Sequence, residues 1–269
     1  MDLRWLVVAC AACGARKPAA VEDAPKVAVA PPPPPVPAGP YKVDAKFDKG
    51  DVQVRVEWKD TPTEARASAG RTACGTAKAP AVAPTTTWGI PDVVVMVDAN
   101  HGKDFAAGGG SGTGSGSGSG SEATARIVFE HCALAPRVVL ASSLIVASAA
   151  DAPAQLAFAK LGAARPLVVP ATATETKNLR LPITGHEVVI AVDGVVELKS
   201  DEDAAIAVAP VTPYYAITEA NGQVVLRDVP VGSFDVAAWL PARGGQPAKL
   251  AHGKVTVVTG GLAEVTLSF

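Results

Sequence analysis

The sequence predicts an all-β protein, and its composition and patterning lead to that class. Proline and glycine, which punctuate strands with turns, account for 23 and 25 of the 269 residues. Short valine-rich segments lie between them, as is typical of β-strands. No segment carries Leu, Glu and Lys at the 3.6-residue spacing of a long amphipathic helix. The formal net charge is −2 and no Lys/Arg block occurs, so we expect no nucleic acid partner.

Several strands are predicted from the hydrophobic pattern. The segment Val52–Trp58 alternates apolar and polar residues, which places its three valines and its tryptophan on one face. Residues 91–98 (PDVVVMVD) are apolar on both faces and predict a central strand. A second β-rich block is expected at residues 125–129, 137–140, 144–147, 167–169, 177–181 and 187–192.

Two hairpins are predicted near the C-terminus. Residues 215–226 form two apolar segments around Asn221-Gly222, a pair that tolerates positive φ and favours a tight hairpin turn. A further turn and strand follow in residues 228–239. Residues 254–258 and 263–269 predict a last hairpin around Gly260-Gly261.

The N-terminus, MDLRWLVVACAACG, has one arginine, an apolar run and small residues before a cysteine. It resembles a bacterial lipoprotein signal, which implies cleavage before a cysteine whose thiol is then acylated. Cys13 is the preferred site, because cleavage there removes residues 1–12 and leaves an even number of other cysteines; Cys10 is the alternative. We therefore expect a secreted, lipid-anchored envelope protein rather than a cytosolic one. Gly14, rather than an aspartate, follows Cys13. By resemblance to lipoproteins in general, this residue favours sorting to the outer membrane.

Two low-complexity segments divide the chain. Residues 13–42 are rich in Ala and Pro and include Pro31–Pro35, so they predict an extended polyproline-II linker. Residues 107–122 are almost entirely Gly and Ser and predict a flexible tether. The folded parts are then expected at residues 43–106, 123–212 and 213–269.

The segment TEANGQVVLRDVPVGSFDVAAW (218–239) resembles the carboxypeptidase regulatory-like, or transthyretin-like, β-sandwich. The matching positions are Thr218, Gly222, Leu226, Val229, Pro230, Gly232, Phe234, Val236 and Trp239, while Val224 stands where Phe is usual. This resemblance implies a scaffold without catalytic residues, made of residues 43–106 and 213–269.

The resemblance extends to envelope proteins in which this sandwich is interrupted by a cupredoxin-like Greek-key sandwich, here residues 123–212. In those proteins a cysteine precedes the second strand, as Cys74 does, and a GCxYxPHV motif opens the insert. Cys132-Ala133-Leu134-Ala135-Pro136-Arg137-Val138 matches that motif, with Leu for Tyr and Arg for His. The resemblance and an oxidising compartment favour a Cys74–Cys132 disulfide. A metal-ligand role for Cys132 and a pair of free thiols are the alternatives.

The cupredoxin resemblance also locates the positions at which copper ligands would stand. They are occupied by Gln155, Val192, Val195 and Leu198. A blue copper site needs a thiolate and two imidazoles, so we expect no metal and no other cofactor.

The sequence favours a non-catalytic binding or structural module. It contains no paired carboxylates, no catalytic triad, no metal-ligand cluster and no phosphate-binding loop. The expected partners are the membrane, through the lipid anchor, and an envelope protein or a glycan. A divergent copper protein that stores metal or transfers electrons is the alternative. A carbohydrate-binding module that uses Tyr214, Tyr215 and Trp239 is a further one.

Overall fold

The computed structural model describes residues 41–59, 74, 88–104, 124–150, 153–162, 173, 175–181, 185–201, 203–242 and 247–269. All regular elements in these ranges are β-strands, which confirms the predicted all-β class. Within the same ranges, no helix has the length and hydropathy needed to cross a membrane. The predicted signal peptide, Cys10, Cys13, the Gly/Ser segment and the predicted strand at 167–169 lie outside the described residues.

The strands are β1 (Lys42–Val43), β2 (Lys49–Glu57), β3 (Val94–Val97), β4 (His101–Gly102), β5 (Thr124–Glu130), β6 (Ala133–Ala135), β7 (Val138–Leu140), β8 (Ser143–Ser148), β9 (Ala154–Gly162), β10 (Glu175–Leu181), β11 (Glu187–Ala191), β12 (Val195–Lys199), β13 (Ala204–Val208), β14 (Tyr215–Ile217), β15 (Gln223–Pro230), β16 (Gly232–Leu240), β17 (Lys249–Val257) and β18 (Leu262–Ser268).

Strands from both ends of the described chain form one pair of sheets, which we call the terminal sandwich. Its sheets have the orders β15-β2-β18 and β14-β3-β16-β17. The predicted alternation in β2 is confirmed, because Val52, Val54, Val56 and Trp58 are all buried in the core between these sheets. A short parallel pair, β1 with β4, lies beside them.

Strands β5 to β13 form the second pair of sheets, which we call the insert sandwich. The orders are β10-β9-β12-β13-β7 and β11-β8-β5-β6. Its core is built from inward residues of both sheets, including Ile127, Leu144, Leu156 and Leu198. Strands β6, β9, β12 and β13 were absent from the sequence prediction.

The two sandwiches pack against each other through a third apolar cluster. The terminal sandwich contributes Val94, Met96, Tyr215, Ala237 and Trp239, and the insert sandwich contributes Val138, Val195, Ile206 and Val208. This contact explains why β3 is apolar on both faces: Val95 and Val97 enter the terminal core while Val94 and Met96 face the insert. The prediction of a central strand is confirmed, since β3 lies between β14 and β16.

Both predicted hairpins are wrong in the same way. The strands on either side of Asn221-Gly222, β14 and β15, belong to opposite sheets, and so do β17 and β18 on either side of Gly260-Gly261. The chain reverses at each turn as predicted, but it crosses the core instead of adding a neighbour to the same sheet. At the first turn, a Cβ on Gly222 would lie 2.4 Å from the Cα of Gly89, so the turn packs directly on another backbone segment.

Candidate functional site

Cys132 occupies the turn of a hairpin. The structure joins it to Cys74 in a disulfide with Cα atoms 5.9 Å apart, the pairing that the sequence favoured. His131 and Cys132 have φ values of 49° and 64° and connect β5 to β6, so both central residues of the turn are left-handed. His131 and Cys132 therefore lie in a turn and not within a strand. Sulfur engaged in the disulfide is not available as a thiolate ligand or nucleophile.

The four positions aligned with copper ligands are spread over three environments. Val192 and Leu198 are buried in the insert core, whereas Val195 faces the cluster between the sandwiches. Gln155 is exposed on β9. Across the described ranges, no three His, Cys, Asp or Glu side chains form a group that could hold a metal ion.

The aromatic residues considered for glycan binding are buried. Tyr214 lies in the terminal core, while Tyr215 and Trp239 lie between the sandwiches, each at most 3% exposed. A platform made of these three rings is therefore wrong. Tyr215 and Trp239 are buried because the insert covers the outer face of the β14-β3-β16-β17 sheet, which the sequence did not indicate, whereas Tyr214 points into the terminal core.

The insert sandwich has an open groove along one edge, between β10 and β11. Its volume is about 350 Å³, and Phe158, Leu179 and Ile190 supply much of its apolar lining. Lys160, Lys177, Asn178, Val189 and Ala191 complete the lining. We call this surface the edge groove.

Among the described strands, the two that border the edge groove are each the last strand of their sheet. β10 pairs only with β9, and β11 pairs only with β8, among the described strands. The outer N–H and C=O groups of an edge strand are a template for pairing with another chain. Val189, at the centre of β11, is 67% exposed.

Charged side chains flank the edge groove on the β10 side. Glu175 accepts a hydrogen bond from Lys177, and this bond holds the carboxyl pKa below its ordinary value. Lys160 Nζ lies 3.9 Å from the same carboxylate. Two ammonium groups thus lie beside one carboxylate on this rim.

Sequence reasoning did not find the edge groove. The alternation of Gln155-Leu156-Ala157-Phe158-Ala159-Lys160 would have predicted β9, because Leu156 and Phe158 are buried between more exposed neighbours. The pairing of β9 with β10 across residues 154–160 and 175–181 has no comparable local sign.

A second polar cluster lies in the terminal sandwich, where β1 and β4 meet. Lys103 Nζ donates to the backbone oxygen of Arg227 at 2.7 Å and lies 5.6 Å from the Tyr214 ring centroid. Burial lowers the pKa of Lys103 and strongly raises the pKa of Tyr214. Tyr41 Oη donates to the backbone oxygen of Lys103 at 2.6 Å. These bonds attach the first described residues of the chain to the sandwich.

Residues that match the transthyretin-like pattern form hydrogen bonds and core contacts within the terminal sandwich. The buried Thr218 hydroxyl donates to the Ile90 backbone oxygen at 2.6 Å and accepts from Val93 N at 3.0 Å. Leu226 and Val229 lie in the terminal core. The segment therefore positions strands.

No protein-family model matches the chain, and comparisons with curated proteins and with solved structures find no significant match.

Proposed function

We propose that the protein is a non-catalytic binding module of the cell envelope and that the edge groove is its recognition surface. In this proposal a lipid on Cys13, or alternatively on Cys10, and the linker of residues 13–42 hold the two sandwiches at the outer membrane. The terminal sandwich is a transthyretin-like scaffold, and the insert is a cupredoxin-like sandwich whose ligand positions have lost their donor side chains.

The contacts of the 218–239 segment support the scaffold assignment. Thr218 links β14 to residues 90–93, and Gly222 permits the close approach of Gly89. Trp239 packs against the insert. Each of these side chains serves packing or backbone pairing, which is consistent with a module that carries another domain and performs no chemistry.

The edge groove is the single observation that carries the binding function. Two strand edges that no described strand covers, an apolar lining and flanking lysines suit an extended polypeptide, which can pair with the edge through its backbone while its side chains enter the groove. Glycan sites instead rely on exposed aromatic faces or dense polar groups, and the aromatic ring of the groove, Phe158, is only 6% exposed. We therefore propose an extended segment of an envelope protein as the partner.

Site-specific photocrosslinking in intact envelopes tests this proposal. A photoreactive amino acid in place of Val189 should give a discrete protein adduct. The matched control replaces Leu250, an exposed aliphatic residue on β17, which is also an edge strand. Equal adducts from both positions, or none from Val189, would contradict the assignment.

A pair of variants then distinguishes backbone pairing from non-specific hydrophobic contact. Val189→Thr keeps a β-branched side chain and should retain the adduct from a photoreactive residue at Lys177. Val189→Lys places a charge on the edge strand and should abolish it. Retention of the adduct in Val189→Lys would argue against strand addition at β11.

A further inference from the structure

Exposed aliphatic side chains concentrate at one end of the terminal sandwich. Eight large hydrophobic residues are exposed in the described part of the chain, and four of them lie here. They are Val43, Val231, Val258 and Leu262, with exposures of 59%, 40%, 57% and 54%. We call this end, together with residues 41–51, the Tyr41 end.

Backbone contacts bring the four residues together around the start of β2. Val231 N donates to Asp48 O at 2.9 Å, and Gly260 N donates to Lys49 O at 2.8 Å, which draws the turn after Val258 to the same place. Leu262 is the register partner of Asp51.

Val43 reaches this end through β4. It pairs with Gly102, and a Cβ on Gly102 would lie 3.1 Å from Pro230 Cγ, next to Val231. The apolar tips therefore come from four segments that are far apart in sequence but adjacent in the fold.

The same end receives the chain that leads to the proposed anchor. Tyr41 is the first described residue, and 40 residues precede it in the sequence. Its hydroxyl bond to Lys103 O fixes the point from which that segment leaves the sandwich. An acylated N-terminus would therefore keep the Tyr41 end at a high effective concentration near lipid, so that weak contacts suffice for docking.

We propose that the Tyr41 end docks on the lipid surface of the membrane, an inference that rests on the proposed lipid anchor. The four aliphatic tips enter the interfacial region of the bilayer. The nearby Lys42, Lys46 and Lys49 are offset by Asp44, Asp48 and Asp228, and Lys49 Nζ lies 2.7 Å from Asp228 Oδ1. Docking therefore depends on apolar contact and responds little to salt.

Fluorescent labelling of the full mature acylated chain in phospholipid vesicles tests this inference. An environment-sensitive dye on Val258→Cys or Leu262→Cys should shift to the blue and be quenched by lipid-borne nitroxides, at low and at moderate salt. The same dye on Val189→Cys or Leu250→Cys, exposed sites elsewhere whose exposures of 67% and 41% bracket those of the two labelled sites, should show neither change.

Three results would overturn the inference, and they separate its failure from that of the anchor. If the chain sediments with vesicles but no label responds, the anchor stands and the docking is wrong. If the chain does not sediment with vesicles, the anchor is wrong and tethered docking falls with it. A blue shift that occurs without vesicles and grows with protein concentration would assign the Tyr41 end to self-association instead of lipid.

A charged variant provides the complementary test. With the dye on Val43→Cys, the double substitution Val258→Asp and Leu262→Asp should remove the blue shift without releasing the acylated chain from vesicles. Persistence of the shift in this variant would contradict docking through the four tips.

Discussion

The terminal and insert sandwiches each have an edge at which consecutive strands cross from one sheet to the other. Among the described residues, buried side chains from both strands line only one of these edges. At the β17–β18 edge, Val255, Val257 and Leu267 are buried, and Gly253 leaves room for Leu267: a Cβ there would lie 2.6 Å from a Leu267 methyl. At the β10–β11 edge, Leu181 of β10 is buried, but no residue of β11 is.

The difference shows that one arrangement of strands can leave its edge either closed by buried side chains or lined by a groove. Small and branched apolar side chains close the space between two edge strands and make a scaffold. At the β10–β11 edge, Lys160 and Lys177 line the space beside Phe158 and Ile190, and a groove remains there. The location of the proposed binding surface thus depends on which side chains face an edge.

Loss of the disulfide, which links the insert to the segment between β2 and β3, should lower the free energy of unfolding most. Replacing Cys74 and Cys132 together with Ser opens a loop with a sequence separation of 58 residues. The free energy of unfolding should fall by about 4 kcal/mol in the chain-entropy model. Denaturant titration measures it, with the reduced wild-type chain as control. An unchanged midpoint would show that the insert does not depend on this bond.

Trp239→Ala should lower the free energy of unfolding nearly as much, by about 3–4 kcal/mol, because it leaves a cavity between the sandwiches. Trp239→Phe is the matched variant. The indole N–H of Trp239 has no hydrogen-bond partner in the described structure, so Phe keeps most of the packing and loses no bond. Similar losses for both variants in denaturant titrations would mean that this cluster does not join the two sandwiches by packing.

Gly222→Ala should be more damaging than Gly260→Ala, although both glycines have positive φ (76° and 66°). At Gly260 no atom lies within 4 Å of the added Cβ, so only the conformational cost of about 1–2 kcal/mol applies. At Gly222 the clash with Gly89 adds roughly 1–3 kcal/mol. Equal thermal destabilisation would contradict the close packing of this crossing turn.

Asp228→Asn should lower stability at neutral pH by less than about 1 kcal/mol, since the Lys49–Asp228 pair is partly exposed. The hydrogen bond from Lys49 lowers the Asp228 pKa below its ordinary 3.8. The carboxylate therefore contributes stability above the unfolded-state pKa, and this contribution disappears as pH falls through the lowered folded-state pKa. Wild type and variant should converge in acid. Asn tolerates the positive φ of 57° at this position, so a difference that persists in acid would point to another cause.

Addition of copper should have the smallest effect on the protein. Titration of the oxidised chain with Cu(II) should give no intense charge-transfer band, because the buried residues Val192 and Leu198 offer no donor atoms. His131→Ala and His252→Ala controls identify binding by surface imidazoles. Binding of one equivalent of copper with an intense visible band would instead support the hypothesis of a cupredoxin function.

Much of the fold was predictable because burial patterns within single strands are local. The alternation of β2 and the two-faced apolar run of β3 gave both strands correctly. The run Ala204–Val208 carries the same two-faced pattern as β3 and would have predicted β13, whose outer face meets the terminal sandwich.

The remaining features were not predictable because they depend on distant pairings. Asn-Gly and Gly-Gly turns indicate a reversal, but whether the next strand joins the same sheet depends on which face is buried. Likewise, the edge groove depends on β10 and β11 being the last described strands of two facing sheets. These positions follow from the pairing of β10 with β9 and of β11 with β8.

Hydrogen exchange of the full acylated chain tests the contrast between the two edges most directly. The chain would be compared on its native membranes and in detergent solution, with β17 and β18 as the internal reference. Native membranes should slow exchange in Glu175–Leu181 or Glu187–Ala191, where a partner strand would add, and leave the β17–β18 edge unchanged. Identical exchange at the β10–β11 edge in both states, or equal slowing at both edges, would contradict the assignment of recognition to the insert.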